Sequence, residues 1–266
     1  MAYRTDIKYE NGGLKVADTQ SGADTREPLP KVDPTDLLLS GVYGETWKRE
    51  AGTSDSAIDS LAATQSGISR SFTTLMEIRD KQSPHNTQAQ HLDNLNRDYD
   101  QAINRYATQM DRSIDHANSR LKEIDQQFRD HIGWDEKDAQ ELRAVIRSMS
   151  QEDRSGFISD AIANGDGQAL AAILGSHPSL VGLTKEQQQS FRQRAIRQNT
   201  PQLAALEDTI TKARETTRKA FLDFIERKES VTAKSVRDKY QQQADEHAAA
   251  RKRATGDDSS HWNLFG

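Results

Sequence analysis

The sequence predicts an all-α protein: long antiparallel helices forming a coiled-coil-like stalk, a small helical head, and an N-terminal β-hairpin with an extended arm. Three observations predict it. Only 34% of the 266 residues are hydrophobic while 29% are charged, too few to fill a thick core along the whole chain but enough for the narrow apolar stripe a long helix needs. One such stripe runs through residues 87–132 without a breaker. Glycine, proline and capping residues then punctuate residues 133–201 densely, the signature of several short helices.

The N-terminal region, residues 1–53, has its own grammar. In YRTDIKYENGGLKVADTQ, Tyr3, Thr5, Ile7 and Tyr9 alternate with polar residues, Asn11-Gly12-Gly13 supplies a turn, and Leu14 and Val16 resume the alternation. Period two on both sides of a glycine turn predicts a hairpin. The stretch SGADTREPLPKVDPTD reads as an extended linker. An apolar cluster follows: Leu37, Leu38, Leu39, Val42, Tyr43 and Trp47. Such a cluster either packs back on the chain's own helices or anchors the arm on a partner.

Residues 54–132 predict a helical hairpin. Ser54 or Asp55 can cap the first helix, and Ile58, Leu61, Ile68, Phe72 and Leu75 share one of its faces. Ser83-Pro84 stops it, and Asn86 or Thr87 restarts the chain. The second helix carries Leu92, Leu95, Tyr99, Ile103, Tyr106, Met110, Ile114, Ala117, Leu121, Ile124 and Phe128. These read as two hendecads followed by two heptads, with a mean step of about 3.6 residues, so the stripe stays on one face of a nearly straight helix. Tyr99 and Tyr106 are expected in the core with their hydroxyls in water.

Gly133 ends that helix, and residues 133–199 predict a compact head of four short helices. Leu142, Val145, Ile146 and Met149 point inward on the first, and Phe157, Ile158, Ala161 and Ile162 on the second. Ser150, Asp166, and Thr184 with Gln187 are the expected caps. Thr200-Pro201 opens a long C-terminal stalk helix over residues 200–254, with no convincing breaker. Residues 255–266 form a polar tail ending in Trp262, Leu264 and Phe265.

Charge and motifs narrow the function classes. The net charge of −5 disfavours a dedicated nucleic-acid binder, so DNA contact is not indicated. No apolar run is long enough to span a membrane, and no secretory signal is expected. Cysteine is absent, which excludes disulfides and thiolate metal sites. The histidines show no zinc spacing, and there is no phosphate-binding glycine loop or nucleophile elbow. Asp111, Asp115 and His116 read as a solvated helix face, Asn164-Gly165-Asp166-Gly167 as an interhelix turn, Arg251-Lys252-Arg253 as a polar helix end, and the many Gln and Asn residues as exposed filler. No catalytic, cofactor-binding or metal-binding residue is expected.

The stretch NGDGQALAAILGSHPSLVGLT, residues 164–184, resembles one found in helical virion and head-assembly proteins of tailed bacteriophages, where a helix ending LAAILG precedes a P-x-L-x-G-L loop. Leu170 to Gly175, Pro178, Leu180, Gly182 and Leu183 carry the likeness, and the opening hairpin is similar to short hairpins of phage structural proteins. The resemblance implies a non-enzymatic structural component of a virion, assembled in the host cytoplasm, in the capsid interior or the portal or neck vicinity. Its partners are then other virion proteins and further copies of itself. A head-assembly scaffold and an ejection protein that contacts DNA or the host envelope are the alternatives. The residues expected to hold partners are Tyr3, Ile7, Tyr9, Leu14 and Val16 of the hairpin, Leu37, Leu38, Leu39, Tyr43 and Trp47 of the arm, and Trp262, Leu264 and Phe265 of the tail.

Overall fold

A computed structural model describes residues 7–10, 13–16, 26–32 and 43–255, the first two stretches by their backbone alone. The fold is all-α. Ten α-helices are present among the described residues: α1 Gly44–Ala51, α2 Ser56–Asp80, α3 Gln88–Ile132, α4 Ala139–Ser148, α5 Gln151–Asn164, α6 Gly167–Leu174, α7 Lys185–Asn199, α8 Pro201–Glu226, α9 Lys228–Val231 and α10 Lys234–Thr255. A 3-10 turn spans Pro178–Val181. At the N-terminus, Ile7–Glu10 (β1) pairs antiparallel with Gly13–Val16 (β2), Ile7 opposite Val16.

The stalk is a three-helix bundle of α2, α3 and α8. Helix α3 is its spine, and 45 residues make it about 67 Å long. Thr87 starts α3 with a capping box, and Gly133, in the left-handed region, ends it. Helix α2 runs antiparallel to α3: Asp55 meets Arg120 at one end, and the Arg79 carbonyl meets His91 at the other. Helix α8 is also antiparallel to α3, since Arg214 reaches Asn118 and Tyr99 reaches Phe224.

The bundle has two apolar cores. One holds Ile58, Leu61, Ala117, Ile124, Phe128, Leu206 and Ile210 and continues into the head. The other holds Ile68, Phe72, Leu92, Leu95, Tyr99, Tyr106, Phe221 and Phe224. Between them lies a buried polar layer. The Ser113 hydroxyl bonds those of Ser60 at 2.9 Å and Thr64 at 2.8 Å, and Thr217 faces the Leu61 carbonyl. Small hydroxylated side chains let three helices approach closely and satisfy their own polar groups there. The stripe was expected to cross this level on Met110 and Ile114; both are only partly buried, and Ser113 takes the centre of the face.

The head, α4 to α7, is tied by side-chain donors placed on the carboxyl ends of neighbouring helices, where carbonyls lack helical partners. The Arg154 guanidinium donates to the carbonyls of Ile146, Arg147, Met149 and Gly182. Gln188 serves Ile173 and Ser176, both at 2.8 Å, and Asn199 serves Ile162 and Ala195. Arg192 joins head to stalk, bonding Glu207 of α8 and Asp125 of α3. Burial works against its charge, but those two carboxylates hold it above its usual pKa.

Several expectations are corrected. Val145 does not point inward; it is 52% exposed, while Ile146 is fully buried. The Tyr99 hydroxyl is not in water but donates to the Phe224 carbonyl at 2.6 Å. The C-terminal stalk helix is not continuous: it breaks after Glu226, and Ala233 takes a left-handed φ of 48°. An unbroken helix would place Val236 about 120° round from Phe224. With the break, Val231, Ala233 and Val236 are all buried with Phe224. That burial offsets the roughly 1–2 kcal/mol a non-glycine residue loses in the left-handed region.

Gly167 tests the junction of head and spine. A Cβ there would press against the carbonyl oxygens of Ile132 and Gly133, backbone that cannot step aside. Gly167→Ala is therefore expected to destabilise by about 2 kcal/mol despite alanine's better helix propensity. Gly156, in α5 with open space around it, is the control, and Gly156→Ala is expected to stabilise by about 1 kcal/mol. Urea unfolding of both variants measures the contrast.

Candidate functional site

The far pole of the stalk, opposite the head, brings the N-terminal arm and the C-terminal helix together. Gln88, the first residue of α3, is its node. Its amide oxygen accepts from the Glu27 backbone N–H at 2.9 Å, and its amide nitrogen donates to the Glu27 carbonyl at 2.8 Å. The Tyr240 hydroxyl of α10 donates to the same amide oxygen at 2.5 Å. One side chain thus ties the N-terminal arm, the spine and the C-terminal helix. Lys239 adds an ion pair with Glu27 at 3.2 Å.

The arm is held over the whole stretch 26–32. Leu29 and Val32 pack against the far core. Arg79 donates to the Pro30 carbonyl, and His91 Nε2 donates to the Arg79 carbonyl at 3.2 Å. Burial lowers the Arg79 pKa from its ordinary value. The following anchor lies farther down: Gly44 sits against Ala62, and Pro30 against Arg79. Those two α2 positions are about 26 Å apart along the helix axis.

Beyond the node the C-terminal helix leaves the bundle. Every residue from Gln241 to Thr255 is exposed, including Arg251-Lys252-Arg253. This helix holds itself together with i,i+4 pairs such as Gln241 with Asp245 and Gln242 with Glu246.

Two of the residues expected to bind partners are placed by the structure inside the protein's own fold. Trp47 is 1% exposed and belongs to the core of Ile58, Leu61, Leu206 and Ile210. Tyr43 stacks on it at 5.5 Å. The partner-anchor role of Trp47 is corrected, since α1 buries it against α2 and α8, and Tyr43, just before α1, is partly buried against the same core. Leu37, Leu38, Leu39, Tyr3, Trp262, Leu264 and Phe265 lie outside the described residues, as do the side chains of Ile7, Tyr9, Leu14 and Val16.

Asp111, Asp115 and His116 are exposed, with His116 Nε2 3.2 Å from the Ser56 hydroxyl. Asp166 caps α6 through the amides of Gln168 and Ala169. Among the described residues, no group of three or more His, Asp or Glu side chains is placed to hold a metal ion, and no helix is long and apolar enough to cross a membrane. Sequence reasoning missed Gln88, Gln188 and Asn199, because amides at helix ends look like the exposed amides around them. The only signal available for Gln88 was its position directly after the Thr87 cap. Compared with known protein families, characterised proteins and solved structures, the chain matches none.

Gln88→Ala removes three hydrogen bonds without disturbing the Thr87 cap. Hydrogen exchange is expected to rise about tenfold or more at residues 26–32 and 236–240 and to stay unchanged at residues 139–199. Tyr99 supplies a second test. Burial, helped by the nearby Asp223 charge, raises its pKa well above the ordinary 10.0. The folded state therefore holds the proton that the unfolded chain gives up, so this contribution is intact below pH 10 and is lost as pH rises above it. Tyr99→Phe is expected to flatten the alkaline limb of the stability–pH curve.

Proposed function

We propose that the chain is a non-enzymatic structural component of a tailed-phage virion that joins neighbouring proteins through its terminal segments. One observation carries the reading: the N-terminal arm at Glu27 and the C-terminal helix at Tyr240 meet at the Gln88 node, at the pole opposite the head. The molecule is thereby polar along its length, with a compact head at one end and attachment segments at the other. Nearly all large apolar side chains of the described helices are consumed by the two internal cores. Contacts to other proteins then fall to the segments before Arg26 and after Thr255, together with the exposed helix between Gln241 and Thr255.

The N-terminal segment suits β-augmentation. A lone two-stranded hairpin is marginal in water, whereas a hairpin that adds its strands to a neighbour's sheet edge gains backbone hydrogen bonds along that edge. The apolar alternation of Tyr3, Ile7, Tyr9, Leu14 and Val16 supplies side chains for pockets beside it. The resemblance of residues 164–184 to phage head-assembly proteins supports a role in the capsid interior, portal or neck vicinity.

Mass spectrometry of particles purified from the phage that encodes the chain tests this. The chain is expected in mature particles at a fixed stoichiometry, and deletion of residues 1–20 is expected to abolish its incorporation while leaving helicity by circular dichroism unchanged. Presence in precursor heads but not in mature particles assigns it as a scaffold instead, and absence from both overturns the reading.

A further inference from the structure

The head carries a cavity of about 550 Å3 lined by Gln140, Arg143, Ala144, Arg147 and Ser148 of α4 and by Leu180 of the 3-10 turn. That volume falls within the range of roughly 300–1,000 Å3 typical of ligand pockets. Its chemistry is apolar and cationic together. Leu180 is left 46% exposed, and Val145 on the same helix as the arginines 52%. Arg143 uses its Nε on the Ala172 carbonyl. The Arg147 guanidinium has no hydrogen-bond or ion-pair partner among the described residues. Arg143 and Arg147 stand one helical turn apart, so their charges face one side.

The chain contains one segment of matching chemistry outside the described residues. Residues 256–266 read GDDSSHWNLFG: two adjacent carboxylates, Asp257 and Asp258, followed by Trp262, Leu264 and Phe265. We propose that the head cavity receives this segment from a second copy of the chain, so that copies join head to tail. The carboxylates pair with Arg143 and Arg147, and an aromatic side chain enters the cavity beside Leu180 and Ala144. An aromatic anchor in a pocket flanked by arginine is the usual composition of an energetically dominant contact.

Reach decides between the same copy and a second one. Tyr240 is fixed at Gln88, at the first residue of α3, whereas the head meets the spine near its other end, with Arg192 on Asp125, about 55 Å away along the axis. From Tyr240 to Thr255 the helix covers about 22 Å, and the three further residues to Asp258, fully extended, cover about 11 Å. Even pointed straight back along the stalk, the two carboxylates fall short of their own head. A contact from the pole of one copy to the head of the next is heterologous, and it propagates into a ring or a filament according to the rotation between copies.

This deepens the proposed linking role by naming the partner of the C-terminal segment, and it is tested on the purified chain alone. Sedimentation velocity is expected to show mass rising with concentration, less so at high salt. A chain lacking residues 256–266 and the variant Arg147→Glu are each expected to remain monomeric with unchanged circular dichroism. Mixed together, these two variants retain one intact cavity and one intact tail, and are expected to form dimers and nothing larger. In a second measurement, a labelled peptide of residues 256–266 is expected to bind the tail-less chain saturably, with affinity reduced about tenfold or more by Arg147→Glu. A full chain monomeric at all concentrations, a tail-less chain that associates like the full one, or a peptide that does not bind overturns the inference. A monomeric chain that still enters particles overturns it while leaving the proposed function standing.

Discussion

The hydrogen bond from the Tyr99 hydroxyl to the Phe224 carbonyl, beneath rings stacked at 4.6 Å, closes the far end of the stalk. Phe224 lies in the last turn of α8, where carbonyls run out of helical partners. A tyrosine from the spine supplies the missing donor and packs its ring on the same residue. The chain then turns through α9 and the left-handed Ala233, and Val231, Ala233 and Val236 fold onto that aromatic pair. Arg227 lies over the Phe72 ring at 5.9 Å and brings α2 into the same closure. The first turns of α10 are thereby set beside Gln88, where they meet the N-terminal arm.

The same economy governs the rest of the molecule. With few apolar residues to spend, the stalk uses a single buried face per helix and interrupts it with a hydroxyl layer at Ser60, Thr64, Ser113 and Thr217. Such a layer adds little net stability but fixes which levels of the helices face one another, because a shifted register would bury hydroxyls without partners. In the head, Arg154, Gln188 and Asn199 replace apolar area with hydrogen bonds to helix ends. A defined packing thus follows from a wet sequence, because these carbonyls at helix ends meet side-chain donors.

Much of this was legible in the residues. The stops and starts at Asp55, Thr87, Gly133, Ser150, Asp166, Thr184 and Pro201 are local chemistry, and each falls where the structure places a helix boundary. The long helix after Thr87 and the four short helices that follow it were legible from where breakers are absent and where they cluster. What stayed hidden was tertiary. The break at Ala233 has no glycine or proline to announce it and exists because packing rewards it. Trp47 lies in an arm-like context yet faces inward, since only the fold shows that α1 has two helices to lie against. Gln88 looks like any exposed amide until the arm and α10 are set beside it. Of the residues expected to hold partners, the hairpin and tail side chains lie outside the described residues, so the case for attachment rests on where those segments depart.

The two poles give the molecule a direction: a head with an arginine-lined cavity at one end, and two departing segments at the other. The arm at Glu27 and the C-terminal helix at Tyr240 meet at one pole, and the absence of cysteine makes that meeting directly measurable by spin labelling. Pulsed electron–electron distance measurement on Lys31→Cys with Gln241→Cys is predicted to give a narrow distribution below about 30 Å, and Lys31→Cys with Ser148→Cys a much longer one, above about 45 Å. A broad or long distance for the first pair, or a short one for the second, would contradict the account.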